Sequence, residues 1–138
     1  MVRMEEPRIG ELTATERVLG PDTQDGRSFA LVAARIAAEN KAENVVVLDL
    51  RGLSTLADYF VIGTGTSGRQ MHAVVDRVLE HARTVGRKHF HISDSSDATW
   101  LLADYVDVVI HLFDEEHRNY YDLDGLWGDA PLVDWQAT

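Results

Sequence analysis

The chain has 138 residues, of which 45% are hydrophobic, so it can build the core of one domain and is not globally disordered. It has no cysteine, which excludes disulfides, thiolate chemistry and cysteine metal sites. The formal net charge is −10, and the basic residues form no patch of the kind that binds a nucleic-acid backbone. We therefore expect a basic protein partner and no sequence-specific binding of nucleic acid.

The two ends of the chain differ from its middle. Residues 1–26 combine prolines, glycines and mixed charges, which predicts a flexible leader without the apolar core of a secretory signal. No apolar run approaches the ~20 residues that a membrane-spanning helix needs. We expect one folded domain over residues 27–131, a C-terminal tail over residues 132–138, no membrane association and a cytoplasmic location.

The first half of the domain reads as helix, strand, strand, helix. An alanine-rich amphipathic pattern predicts a helix over residues 28–42, with Ser28 as its N-cap. Apolar, β-branched runs at residues 44–50 and 59–63 predict two strands, whose short linker allows an antiparallel pair. The apolar stripe of residues 67–85 predicts the longest helix.

This longest helix has signals at both ends. Ser67 and Gln70 form a capping box before the apolar stripe, and Gly86 follows the last turn. Three further strands and a short aromatic helix are predicted after it, at residues 88–92, 100–105, 106–113 and from 114 onwards. The fold class is therefore α/β: a single domain with a mixed sheet of about five strands flanked by helices.

A glycine pattern lies between the second strand and this helix. Residues 63–68 read Gly-Thr-Gly-Thr-Ser-Gly, the spacing of a dinucleotide-binding turn. The match is weak, because a strand precedes this one and Asp94 comes too late to be the ribose-binding acid. The alternative is that Gly63 and Gly65 turn the chain and Ser67 caps the helix. A nucleotide-binding transferase that uses this turn is the second functional hypothesis.

Other candidate chemistry is weaker still. His89 and His91 share one face of a predicted strand, and imidazoles at this spacing can bind zinc with a distant third ligand such as Asp94. Two exposed polar residues on a half-exposed strand are the commoner case. That strand carries no carboxylate pair for a catalytic magnesium ion, and no serine lies in a nucleophile elbow. We therefore predict no metal site, no cofactor and no catalytic residue.

Most of the aromatic residues fall in the stretch 100–127. Tyrosine and tryptophan join a large apolar body to a polar group, which is typical of recognition surfaces. Burial at a junction between sheet and helix is the alternative interpretation. The six aromatic residues of this stretch are Trp100, Tyr105, Phe113, Tyr120, Tyr121 and Trp127.

Five local signatures follow one another along the chain: KAENVVVLDL at 41–50, ADYFVI at 57–62, SGRQ at 67–70, WLLADYVDVVIHLF at 100–113 and RNYYDLDGLW at 118–127. Together they resemble the ribosomal silencing factor family, also called RsfS or Iojap, over about residues 28–131. The resemblance implies a fold like that of nucleotidyltransferases without their catalytic acids. It therefore implies a protein that is not an enzyme.

The resemblance also implies a partner. Members of the family bind the large ribosomal subunit through large-subunit protein fourteen, block joining of the small subunit and so repress translation when nutrients are limiting. The residues implied to bind this partner are Trp100, Leu101, Asp104, Tyr105, Asp107, His111, Arg118 and Tyr121. Trp100, Leu101 and Tyr105 are expected as apolar anchors, with Asp104 and Asp107 as a charged rim. A homodimer of the free protein, built on the same aromatic residues, is the third hypothesis.

The chain departs from the family pattern at three places. Asp94-Ser95 stands where Glu-Gly is usual, Val106 where glycine is usual, and Asp124 where glutamate is usual. Valine disfavours a positive φ, so we expect the turn at Val106 to change shape. The loop beside Trp100, and with it the affinity for the ribosome, is expected to differ as well.

Overall fold

The structure is a computed structural model that describes residues 24–93 and 99–136. Most of the predicted leader and the Asp94-Ser95 departure lie outside these residues. The helices and strands, in chain order, are α1 (Gly26–Glu39), β1 (Glu43–Asp49), β2 (Tyr59–Thr64), α2 (Gly68–Thr84), β3 (His91–Ile92), β4 (Trp100–Asp104), β5 (Val108–Phe113), α3 (Glu115–Tyr121) and α4 (Leu123–Leu126).

The five strands form one mixed sheet in the order β1-β2-β5-β4-β3. The β2–β5 pair is parallel, because the chain crosses over through α2 and the outer strands before it returns beside β2. The other three pairs are antiparallel, including the pair of β1 and β2, for which the short linker allowed this arrangement. The predicted α/β class with a mixed sheet of five strands is confirmed.

Alternation along the strands gives the sheet two apolar faces, and different helices cover them. The long helices α1 and α2 pack on one face, where Val61, Leu101 and Ile110 are buried against Phe29 and Val74. On the other face, a smaller cluster joins the sheet to α4 and the segment after it. Its members are Leu48, Leu50, Ile62, Phe113 and Ala130, with Leu123 and Trp127 packed against them.

The starts of the two long helices have N-caps of the expected kind. Helix α2 begins after Ser67, whose hydroxyl accepts from the Gln70 amide at 3.1 Å, as predicted. Helix α1 begins earlier than predicted, because the carboxylate of Asp25 accepts from the Ser28 amide at 2.7 Å. Ser28 is therefore inside the helix and is not its N-cap. Within residues 24–93 and 99–136, no helix has both the length and the apolar character to cross a membrane.

The later elements are shorter than predicted. The strand expected over residues 88–92 is reduced to His91–Ile92 at the edge of the sheet. The single aromatic helix is two helices, α3 and α4. They are separated by Asp122, which adopts the left-handed conformation (φ 47°) and accepts from the Gly125 amide at 3.1 Å. This break turns the chain back across the sheet.

The C-terminal segment packs along the free edge of β1. The amide of Val133 donates to the carbonyl of Val47 at 2.8 Å, and the indole of Trp135 donates to the carbonyl of Val45 at 2.9 Å. Val133 is buried. Residues 132–136, predicted as part of a tail, therefore belong to the folded domain.

Candidate protein-docking face

The short helices cover only part of the second sheet face. Beside them, β2, β5 and β4 leave an open and mostly apolar cavity of about 460 Å³. Leu56 is 83% exposed and Phe90 is 75% exposed at its margin. Grouped apolar side chains of this kind mark interaction sites. We call this surface the docking face; its residues are Leu56, Ala57, Phe60, Phe90, Leu102, Asp104, Val106, Val109 and His111.

Strand β4 contributes alternate side chains to this face. Trp100, Leu102 and Asp104 are half-buried on the side of the cavity, whereas Leu101 is buried on the helix-covered side. The expectation that Leu101 is an apolar anchor is therefore contradicted, because its side chain does not reach the surface. The neighbouring Leu102 is the leucine that faces the cavity. The period of two could have shown this from the sequence, because Leu102 must share a face with Trp100.

Two more of the predicted contact residues are inside the protein. Tyr105 is 1% exposed, and its ring packs edge-on against Phe29 with 4.8 Å between the ring centroids. Asp107 is fully buried. The expectation of Tyr105 as an anchor and Asp107 as part of a charged rim is contradicted, because neither side chain reaches the surface.

Asp107 instead forms a buried ion pair. Its two carboxylate oxygens accept from the two terminal nitrogens of Arg87 at 2.7 and 2.9 Å. The same guanidinium donates through Nε to the carbonyl of Gln24 at 2.8 Å and lies 4.8 Å from the ring centroid of Phe29. Arg87 thus ties the turn between β4 and β5 to the start of α1. A pair between residues this far apart has no local sequence signal.

The turn between β4 and β5 is strained at Val106. Its φ is +75°, a conformation that a β-branched residue rarely adopts. The turn is held from both sides, since the carboxylate of Asp104 accepts from the Val106 amide at 2.8 Å and the Tyr105 amide donates to the carbonyl of Val108 at 2.8 Å. These bonds hold Val106 in a conformation that valine disfavours, and the expected change in the shape of the turn relative to the family stays a prediction.

His111 lies on the floor of the docking face. Its Nδ1 accepts from the indole N–H of Trp100 at 3.2 Å, and Leu102 lies directly opposite it on β4. Burial lowers the pKa of His111 to about 4, so the ring is neutral at pH 7. Because the indole can only donate, Nδ1 carries no proton and Nε2 does. Nε2 of His111 is thus a buried hydrogen-bond donor.

An aromatic ridge continues the docking face onto α3. The ring of Trp100 lies 4.7 Å from that of Tyr121 and 4.9 Å from that of Phe113, measured between centroids. Tyr121 is 43% exposed and Tyr120 is 78% exposed. Of the predicted contact residues, Trp100 and Tyr121 therefore lie together at this ridge, whereas Asp104 lies at the other end of β4 in the wall of the cavity.

Arg118 fixes the position of the short helices. Its guanidinium pairs with Asp124 at 2.9 Å and donates to the hydroxyl of Thr64 at 2.9 Å, while the side chain is only 11% exposed. It also donates to the carbonyl of Asn44. Arg118 thus joins α3, α4 and the sheet, and these bonds occupy the group that was expected to contact a partner.

The glycine-rich turn is filled by the protein itself. The amide of Gly65 donates to the carbonyl of Phe113 at 2.7 Å, and the amide of Thr66 donates to the side chain of Gln70 at 3.0 Å. A Cβ atom on Gly65 would overlap the side chain of Met71. The amides of Gly65 and Thr66 therefore join the turn to β5 and α2, and the side chain of Met71 fills the space beside Gly65, so neither is open to a pyrophosphate.

The histidine pair lies at the edge of the sheet. His91 is in β3 and His89 precedes it, and both are exposed. Within the part of the chain that the structure describes, no three histidine, aspartate or glutamate residues are grouped to hold a metal ion. Asp94, the third ligand considered, lies outside the described residues.

Comparison with known proteins gives the same family as the sequence signatures. Residues 23–138 match the family described as "Ribosomal silencing factor during starvation". The chain belongs to the RsfS family. The ribosomal silencing factor RsfS of Bacillus subtilis is 38% identical over 108 residues, which cover 78% of this chain and 92% of the relative.

Similar proteins also occur in organelles. The chloroplastic protein Iojap of Zea mays is 33% identical over 82% of this chain and 49% of its own length. A mouse protein named "Mitochondrial assembly of ribosomal large subunit protein 1" is 31% identical over 88% of this chain and 56% of its own length. The name of the mouse relative refers to assembly of the large ribosomal subunit.

Solved structures support the fold. A protein of Chromobacterium violaceum has a TM-score of 0.72 at 27% identity, covering 76% of this chain and 88% of that one. A protein of Bacillus halodurans has a TM-score of 0.68 at 32% identity, covering 79% of this chain and 99% of that one. The RsfS-family domain of this chain therefore has the fold of known structures.

Proposed function

We propose that this RsfS-family protein binds the large ribosomal subunit through large-subunit protein fourteen and thereby blocks joining of the small subunit. The observation that carries this proposal is the docking face, an apolar part of the sheet that the protein's own helices leave open. Leu56 and Phe90 are largely exposed there. An apolar surface of this kind loses its contact with water when a partner covers it, and this loss favours binding.

Charge supports a basic partner. The chain carries a net charge of −10, and the carboxylate of Asp104 lies in the wall of the cavity. Attraction between this acidic protein and a basic ribosomal surface would speed their encounter and orient the complex. The apolar cavity would then hold the partner in place. We propose that this complex forms in the cytoplasm and represses translation when nutrients are scarce.

Blocking of subunit joining requires only that the protein binds the large subunit and occupies space there. No covalent bond has to be made or broken. We therefore propose that the protein is not an enzyme. In support, the imidazole nearest the cavity, that of His111, is neutral and already accepts from Trp100. The amides of Gly65 and Thr66 in the glycine-rich turn bond to Phe113 and Gln70, so addition of nucleotide and magnesium is expected to leave the melting temperature unchanged.

The experiment that tests the proposal uses purified ribosomal subunits. We expect wild-type protein to sediment with large subunits and to reduce the yield of joined ribosomes in a sucrose gradient. Leu56→Asp, on the docking face, should weaken both effects by at least tenfold in concentration. Leu132→Asp is a matched control, since Leu132 is also an exposed leucine (70%) but lies beside β1. Normal joining with saturating wild-type protein would refute the proposal.

The docking face also suits a second copy of the chain. Two apolar faces of this size could cover each other in the free protein, which makes a homodimer the second candidate assembly. Light scattering over a range of concentrations would detect it. If Leu56→Asp removes the dimer and Leu132→Asp does not, the same face serves both assemblies, and dimerisation would compete with binding to the ribosome.

A further inference from the structure

We infer that the docking face recognises a partner segment that places a neutral hydrogen-bond acceptor against Nε2 of His111, next to an apolar side chain. This inference rests on the proposed function, because it concerns the same face and names the chemistry of the group that binds there. It follows from the tautomer of His111, from its unpaired donor and from the composition of the cavity wall.

The hydrogen bond with Trp100 fixes the tautomer. The indole Nε1–H donates to Nδ1 of His111 at 3.2 Å, and an indole nitrogen has no capacity to accept. A proton on Nδ1 would face the indole proton and break this bond. The imidazole proton is therefore on Nε2, which makes that atom a donor.

This donor has no acceptor within the protein. Nε2 is shielded from solvent, and no hydrogen-bond partner for it exists among the described residues. His111 as a whole is only 5% exposed, yet it lines the cavity together with Phe60 and Leu102. Buried donors are nearly always paired in folded proteins, so an unpaired one beside an open cavity indicates a partner from outside.

The surroundings select the kind of acceptor. Asp104 lies in the same wall, and a carboxylate brought into the cavity would meet a like charge close by. The remaining acceptors are neutral: a main-chain carbonyl, a side-chain amide or a hydroxyl. Phe60, Leu102 and Val109 supply the apolar contacts around it.

Access to Nε2 requires a small movement. The ring of Phe60 lies edge-to-face with the imidazole, with 4.5 Å between their centroids, and it is half-buried at the cavity. Rotation of this side chain is the shift that we expect on docking, since side-chain rearrangement is common when interfaces form. The incoming apolar group would then pack against the displaced ring.

The test compares two substitutions at one position. His111→Phe keeps an aromatic ring but removes the donor, whereas His111→Gln keeps a side-chain N–H. We expect His111→Phe to bind purified large subunits about tenfold more weakly than wild type, the loss of one hydrogen bond, and His111→Gln to recover part of the affinity. Thermal unfolding of each variant checks that it is folded.

A direct measurement on wild-type protein complements the variants. With histidine labelled by ¹⁵N, the Nε2–H signal of His111 should move downfield on addition of purified large-subunit protein fourteen. An unmoved signal together with wild-type affinity of His111→Phe would overturn the inference while leaving the proposed function in place. If wild-type protein does not bind large subunits at all, the proposed function itself fails.

Discussion

Side chains alternate between the two faces of the sheet, and the two faces differ in how far they are covered. On the helix-covered face, α1 and α2 bury side chains such as Val61 and Leu101 almost completely. On the other face, α4 and the segment after it cover only the part around Ile62, and the docking face beside it remains open. One face therefore supplies most of the stability of the domain, and the other leaves an apolar surface open, which we propose is covered by a partner.

The largest effect is expected at the buried ion pair on the helix-covered side. Asp107→Ala leaves the guanidinium of Arg87 buried without its carboxylate, which should lower the free energy of unfolding by about 3–5 kcal/mol. Asp49→Ala is the control, since it breaks an ion pair with the exposed Arg51 and should cost at most about 1 kcal/mol. Urea unfolding measures both. Equal losses would mean that burial of the pair is unimportant.

Neighbouring leucines on β4 separate the two faces directly. Leu101→Ala opens a cavity in the core and should cost about 2–5 kcal/mol of stability. Leu102→Ala removes a half-buried side chain from the docking face and should cost less than about 1 kcal/mol, but it should weaken binding to large subunits. Urea unfolding and co-sedimentation of both variants would sharpen the contrast. A Leu102→Ala variant that loses stability but binds large subunits as wild type does would contradict this division between the two faces.

The pH dependence of stability should report His111. Because its pKa is about 4 in the folded protein and 6.5 when unperturbed, protonation favours the unfolded chain. The contribution of neutral His111 to the free energy of unfolding is fully present above pH 6.5. It should decrease by about 1 kcal/mol per pH unit as the pH drops from 6.5 to 4. His111→Phe should remove that part of the slope. An identical slope in the two proteins would mean that His111 is accessible to protons in the native state.

The smallest effect is expected at the strained turn. Val106→Gly should raise the free energy of unfolding by about 1 kcal/mol, because glycine adopts a φ of +75° without steric cost. Val106→Ala keeps the strain and serves as the control. Thermal unfolding measures both, and a stabilisation by alanine equal to that by glycine would show that side-chain crowding matters more than φ.

Local patterns in the sequence predicted most of the helices and strands and the N-cap of α2, and they allowed an antiparallel first pair of strands, because each of these depends on near neighbours. The family signatures pointed to the region around Trp100, and partner binding there stays a prediction. Which side chains face outward was harder: Leu101 was expected where Leu102 lies, although the alternation was readable. The pairing of Arg87 with Asp107 and the strain at Val106 depend on contacts between distant segments, which one sequence does not reveal.

The segment that follows α4 has a consequence for self-association. By pairing Val133 with Val47, it occupies hydrogen-bonding groups that β1 would otherwise offer to another molecule. At the opposite border, β3 is only two residues long and offers little to extend. Because both edges of the sheet are protected, the protein can expose an apolar surface on one face of the sheet and still resist forming fibrils. Fibril growth by edge-to-edge pairing would need a long unpaired strand.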